Sequence, residues 1–324
     1  MSNNTLMILG TERSGTTFLG KLFDSHPEVI YRHEPDSEEI NRGIPFMPNI
    51  SEIGTYRTEA AEYLEKLKHT TTLKTAGRRP FFPKHYRSRV GESVFRASII
   101  AKVAREKLGL PESRDLTISD RIRRDHAPGF CVLKSVNSLC RFALFATAAP
   151  TYRFLHLIRH PCGVIASRFR GFEKNTMSPR TYLKSLFQLP EAKLYPFSFS
   201  DMAARTFEEQ AAYDWMVKND KVARDMQGNN CYRPVIYGAL CNDLESVLHG
   251  LFRHVKLQWH PQTERFIHRL KHISLKKRPS YFDILRNPAT GQHSWKNELT
   301  SSQINRILAV VAHTQMDAVQ DVLK

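Results

Sequence analysis

Leu6-Met7-Ile8-Leu9-Gly10-Thr11-Glu12-Arg13-Ser14-Gly15-Thr16-Thr17-Phe18-Leu19 is the stretch that decides the architecture. Leu6 to Leu9 is a short apolar run closed by Gly10, the pattern of a buried strand. Phe18, Leu19, Leu22 and Phe23 then repeat at helical spacing. The unit is strand, tight glycine loop, helix. Such a loop aims backbone N–H groups and a helix N-terminus at one point, which suits a phosphate. Gly10 and Gly15 fall where a Walker A loop has its two glycines, and Thr17 falls at its hydroxyl residue. Thr16 stands in place of the Walker lysine, the group that grips the outer phosphates of a nucleoside triphosphate. The loop carries its cation at Arg13 instead, which argues against an ordinary ATPase or GTPase.

Comparable chemistry recurs along the chain. Tyr152 to Ile158 reads as a strand ending in Arg159-His160-Pro161, and Ser167 lies in the helix that follows. A guanidinium fork with a hydroxyl suits a phosphate. Val29 to Arg32 reads as a strand followed by His33 and Glu34, and Phe130 to Val136 as a strand with Lys134 near its end. Strands alternating with helices give a largely parallel α/β sheet. Ligands gather at the carboxyl ends of such strands, and four of these ends carry Arg13–Thr17, Glu34, Lys134 and Arg159. A carboxylate or imidazole there can take the proton of an attacking hydroxyl, which makes Glu34 the candidate base and His33 its rival. Lys134 is placed to stabilise charge on a leaving phosphate, with Arg13 competing for that role. Each residue alone also has a plain reading: a surface salt bridge, a helix-capping serine, a snorkelling lysine.

Arg13-Ser14-Gly15-Thr16-Thr17 after an N-terminal strand resembles the 5′-phosphosulfate loop of sulfotransferases, whose donor is 3′-phosphoadenosine 5′-phosphosulfate (PAPS). The Arg159-x7-Ser167 spacing resembles the family's second signature, which holds the 3′-phosphate. His26-Pro27-Glu28-Val29-Ile30-Tyr31, ending in Glu34-Pro35, is similar to the continuation in carbohydrate sulfotransferases. The resemblance implies a P-loop-like sulfotransferase fold, a central parallel sheet flanked by helices. It implies transfer of a sulfuryl group from PAPS to a hydroxyl, with a glycan acceptor favoured and adenosine 3′,5′-bisphosphate (PAP) released. Arg13, Ser14, Gly15, Thr16, Thr17, Arg159 and Ser167 would bind the donor, and a glutamate near Glu34 would be the base. Gly291-Gln292-His293-Ser294-Trp295-Lys296 resembles the late segment that folds over the donor, with Trp295 packing on it and Lys296 reaching a phosphate. Pro234-Val235-Ile236-Tyr237 departs from the family's pattern at Ile236 and Gly238, so a core strand is the expectation for Tyr237.

Composition sets the outer limits. The 324 residues suit one large domain, and 41% hydrophobic with 25% charged residues is ordinary for a globular chain. The formal charge of +16 predicts attraction to anions: nucleotides, acidic glycans, nucleic acid or an anionic surface. A P-loop kinase or NTPase and a non-catalytic basic module are the alternatives; the second accounts for the charge and leaves both phosphate signatures without a use. No specific nucleic-acid partner is expected. The five cysteines show no CxxC pair, so reduced thiols are expected. The start MSNNTLMILG does not read as a signal peptide and no apolar run spans a bilayer. A cytoplasmic enzyme, or one trimmed of an anchor, is the expectation. The fourteen histidines are scattered without an HExxH pair, and no metal is expected.

The chain reads as a single domain over residues 1–324, with 172–200 as a mobile loop or substrate-side insertion. Arg78 to Arg89 is basic and aromatic with two prolines, read as a solvated loop or the lining of an acidic-substrate groove. Ala203 to Asp225 reads as one long helix.

Overall fold

The computed structural model describes residues 4–109, 118–123, 125–175, 181–272 and 292–323. Five strands form one sheet: β1 (Thr5–Leu9), β2 (Val29–His33), β3 (Phe130–Ser135), β4 (Arg153–Ile158) and β5 (Tyr232–Ile236). Their order is β2-β3-β1-β4-β5 and every pairing is parallel. The first strand therefore lies in the middle, with β3 on one side and β4 on the other. The chain departs from β1 in both directions, and ligands bind in α/β sheets at that kind of switch point.

Successive residues of a strand face opposite ways, so each strand serves two cores. Leu6, Ile8, Val29, Tyr31, Val132, Leu155, Leu157 and Val235 face one layer. That layer contains α1 (Thr16–Asp24) and the helices Tyr237–Asn242, Leu244–His254 and Pro261–Lys271. Met7, Leu9, Ile30, Cys131, Leu133 and Phe154 face the other, with helices Arg57–His69 and Phe142–Ala148. A third core joins the helices Pro161–Glu173, Phe207–Asp225 and Ser301–Val311 around Trp215. Near-continuous apolar strands are what a sheet covered on both faces requires.

Several expectations are corrected. The long helix splits at residues 204–206 into Phe199–Ala203 and Phe207–Asp225, because Thr206 and Glu209 form a capping box that starts the second one. Tyr237 does not end a strand; it begins a helix. The basic loop is not merely solvated. Lys84 is buried on Asp24 at 2.9 Å, and Arg87 pairs with Asp120 at 2.7 Å. Of the 172–200 stretch, 176–180 lies outside the described residues, and Leu183, Leu186, Leu189 and Tyr195 are buried in the third core. No helix among the described residues is long and apolar enough to cross a membrane.

Candidate active site

The loop after β1 turns back on itself through two left-handed residues, Arg13 (φ 68°) and Gly15 (φ 101°). For an arginine this backbone costs roughly 1–3 kcal/mol and persists only where the surroundings hold it. Here the holding contacts are specific. Arg13 Nε donates to Ser167 Oγ at 2.9 Å, and an Arg159 amino group donates to the Arg13 carbonyl at 3.1 Å. The two phosphate-type signatures, more than 140 residues apart in the chain, thus touch directly. Thr16 is the first residue of α1. Ser14 is buried, and its hydroxyl has no protein hydrogen-bond partner.

Tyr237 closes this half of the site from above. A Cβ on Gly15 would stand 2.5 Å from its ring, so only glycine fits beneath it. The Arg159 guanidinium lies 4.8 Å from the ring centroid on the same tyrosine, a cation–π distance. The family-like segment around Tyr237 departs from the usual residues, so sequence pattern hid this placement. Trp215, fully buried, donates from its indole to the Arg159 carbonyl at 3.1 Å and fixes the end of β4.

Across β3 a second group forms. Glu34 also has a left-handed backbone (φ 47°), and its N–H donates to the Lys134 carbonyl at 2.7 Å. Its carboxylate accepts from the Lys134 ammonium, and Lys74 lies 3.8 Å away. Burial alone raises this carboxyl, yet the adjoining ammonium of Lys134 overrides it and holds the value at about 2. Burial presses the wholly buried Lys134 below its usual range, against the pull of Glu34. His33 is held at about 3, first by burial and then by Lys134, so it is neutral at pH 7. Its Nδ1 is engaged with the Tyr31 hydroxyl at 3.0 Å.

Asp36 and Lys74 were not singled out in the sequence. Asp36 is buried, accepts from the hydroxyls of Ser135 and Ser138, and ties the turn after Glu34 to the end of β3. Burial raises its carboxyl. A Glu-Pro-Asp run offers no periodicity to flag it. Trp295 stacks on His160 with ring centroids 4.5 Å apart and planes 8° from parallel, which brings it beside Arg159; Lys296 is exposed. Gly291 lies outside the described residues.

A family model described as the sulfotransferase family matches residues 5–261, four-fifths of the chain and all five strands. The chain belongs to the sulfotransferase family. Among solved structures, this sulfotransferase is similar to one from mouse, determined in complex with PAP. The two are 9% identical with a TM-score of 0.47, over 100% of this chain and 89% of that one. A sulfotransferase from Alicyclobacillus acidocaldarius is 12% identical with a TM-score of 0.41, over 99% of each chain. The sulfotransferase domain of the Synechococcus PCC 7002 olefin synthase is 14% identical with a TM-score of 0.40, over 95% and 94%. No curated protein matches the chain in sequence. The kinase and basic-module alternatives give way to family membership.

Beside the loop of this sulfotransferase opens a cleft lined by Thr11, Glu12, Phe46, Asn137, Tyr182 and Lys218, among others. Phe46 and Tyr182 stack at 5.1 Å, and the Lys218 ammonium sits 3.9 Å over the Tyr182 ring while pairing with Asp214 at 2.7 Å. These residues come from separate segments of the chain, so no local motif could announce them.

Proposed function

We propose that this sulfotransferase moves a sulfuryl group from PAPS to an acceptor hydroxyl, and that the acceptor is a glycan. Arg13, Ser14, Gly15, Thr16 and Thr17 bind the 5′-phosphosulfate, and Arg159 with Ser167 binds the 3′-phosphate. Trp295 and Lys296 flank the nucleotide. The acceptor oxygen attacks sulfur as its proton passes to Glu34. The bond from sulfur to the 5′-phosphate oxygen breaks, and PAP leaves with its developing charge met by Arg13 and Lys134. The observation that carries this reading is the direct contact of the two signatures, Arg13 with Ser167 and Arg159 with the Arg13 carbonyl.

The Glu34–Lys134 pair fits a switch in this sequence of events. A carboxylate held at about 2 is a weak base. When Lys134 turns to the donor, Glu34 loses its nearest cation and burial raises its affinity for a proton. For the acceptor, the stacked Phe46 and Tyr182 rings beside the loop offer apolar faces of the kind a sugar ring covers, and Lys218 and Asn137 offer donors.

PAP should raise the melting temperature and adenosine 5′-phosphate should raise it much less, since only PAP carries the 3′-phosphate. Equal shifts would overturn the clamp. A screen with radiolabelled donor over glycan, phenolic and peptide hydroxyls tests the acceptor; label confined to phenolic or peptide acceptors would overturn the glycan reading alone.

A further inference from the structure

At the opposite end of the sheet, three residues distant in the chain converge. Glu28 precedes β2, His85 lies in the basic loop, and His126 precedes β3. His85 Nδ1 lies 2.6 Å from Glu28 Oε1. His126 Nε2 lies 3.1 Å from Oε2 and 3.3 Å from Oε1 of the same carboxylate. The candidate donor atoms all fall within 4.8 Å of one another. We propose that Glu28, His85 and His126 bind a divalent transition-metal ion of the zinc class, clipping two loops to the N-terminal edge of the sheet.

Two imidazoles and one carboxylate are the donor set that zinc takes when three ligands come from protein. Donor atoms around a tetrahedral zinc stand roughly 3.3 Å apart, given metal–ligand bonds of ~2.0–2.1 Å. The contacts to Glu28 run from 2.6 Å up to 3.3 Å, so His126 already stands at that spacing and His85 needs to draw back by less than about 1 Å. The three backbones are also fixed before any ion arrives. The His85 N–H donates to the Pro27 carbonyl at 3.2 Å, and the Phe130 N–H donates to the Glu28 carbonyl at 3.2 Å. Arg123 N–H donates to the Tyr86 carbonyl at 2.8 Å, and Arg123 and His126 form an antiparallel bridge. His85 and His126 meet edge to face with ring centroids 6.0 Å apart, so both rings crowd the same carboxylate. About half of the His85 side chain is open to solvent, which gives an ion its entry and a water its fourth position.

The expectation of no metal rested on the lack of paired ligands close in sequence. It does not cover positions 28, 85 and 126, which only the fold assembles. The site stands the length of a strand from Glu34 and Arg13, so its role is structural. It is also independent of the proposed donor and acceptor, because binding is read without turnover.

The test uses the full chain, stripped with chelator, and Zn²⁺ alone as probe. Titration calorimetry and elemental analysis after desalting should show one equivalent bound, with a rise in melting temperature. His85→Asn and His126→Asn should each weaken binding at least about tenfold, since losing a ligand costs no less than losing an outer-shell partner. His69→Asn, at an exposed histidine outside the cluster, should change nothing. Co²⁺ on the unaltered chain serves as a second probe that needs no variant. Visible absorption of a nitrogen–oxygen site at one equivalent supports the assignment. Binding below stoichiometric level, or binding that His69→Asn weakens as much as the other variants, overturns it.

Discussion

Arg13 and Glu34 are the two non-glycine site residues with left-handed backbones, and they stand on opposite sides of β3, held by opposite means. Arg13 is fixed through a serine hydroxyl and through its own carbonyl, contacts that do not change with pH. Glu34 is fixed through a buried ammonium, a contact that exists only while both groups are charged. In the function we propose, the first half sets where an anion sits and the second sets who carries the proton. Dividing these tasks between strands would let one be rigid while the other responds to the donor.

The largest effect expected from breaking this division is on turnover in Glu34→Gln. Losing a general base costs typically ~10²–10⁴-fold, while PAP affinity should stay or tighten, because the donor is an anion. The variant also leaves Lys134 buried without its partner, which costs about 3 kcal/mol or more in stability. Melting temperature, PAP affinity and kcat must therefore be measured together, and the double variant with Lys134→Met should recover stability without recovering turnover. Normal melting with a wild-type rate would move the base to His33, tested by His33→Gln.

Arg13→Ala comes next. It should lower donor binding and turnover together, by on the order of 10²–10³ in rate, since the cation meets charge in both ground and transition states. Near-normal turnover would show that the rigid half is not the donor side. Arg159→Ala should erase the preference for PAP over adenosine 5′-phosphate, roughly tenfold to hundredfold for hydrogen bonds to a charged group. A preference that survives would place the 3′-phosphate elsewhere.

Smaller effects follow from charge. In Lys134→Met the Glu34 carboxyl loses the cation that chiefly holds it at about 2, and burial, opposed then by the weaker pull of His33 and Lys74, should raise it. The acid limb of the pH–rate profile should move up accordingly; a limb that stays put would detach Glu34 from catalysis. In stability the sign is the same for both kinds of group, a loss on acidification, and the pH windows differ. The depressed Glu34 contributes fully above 4.5, and that contribution is lost as pH falls through about 2. His33 and His156 are depressed from 6.5 to about 3 and about 4, mainly by burial, so they stay neutral while the unfolded chain takes up protons. Stability should therefore fall already between pH 6.5 and pH 5, by a few degrees in melting temperature. A melting temperature flat over that range would contradict the buried neutral imidazoles.

The sequence by itself determined the parallel sheet and most of the candidate site. Glycines at 10 and 15, apolar runs closed by charged residues, and Arg159 before a helix are local patterns, set by backbone conformation and side-chain periodicity over a few residues. They place Arg13, Glu34, Lys134 and Arg159 at strand ends without reference to any contact. What only the tertiary structure decided is which groups meet. Tyr237 over Gly15, Trp215 on the Arg159 carbonyl, Asp36 between two serines and the Glu28–His85–His126 cluster join segments tens to hundreds of residues apart. Surroundings also fixed the charges: Glu34 and His33 are neighbours in sequence, yet the Lys134 ammonium keeps one an anion while burial, aided by that ammonium, keeps the other neutral. Desolvation and pairing depend on what surrounds a group in space, and one-dimensional spacing does not encode that.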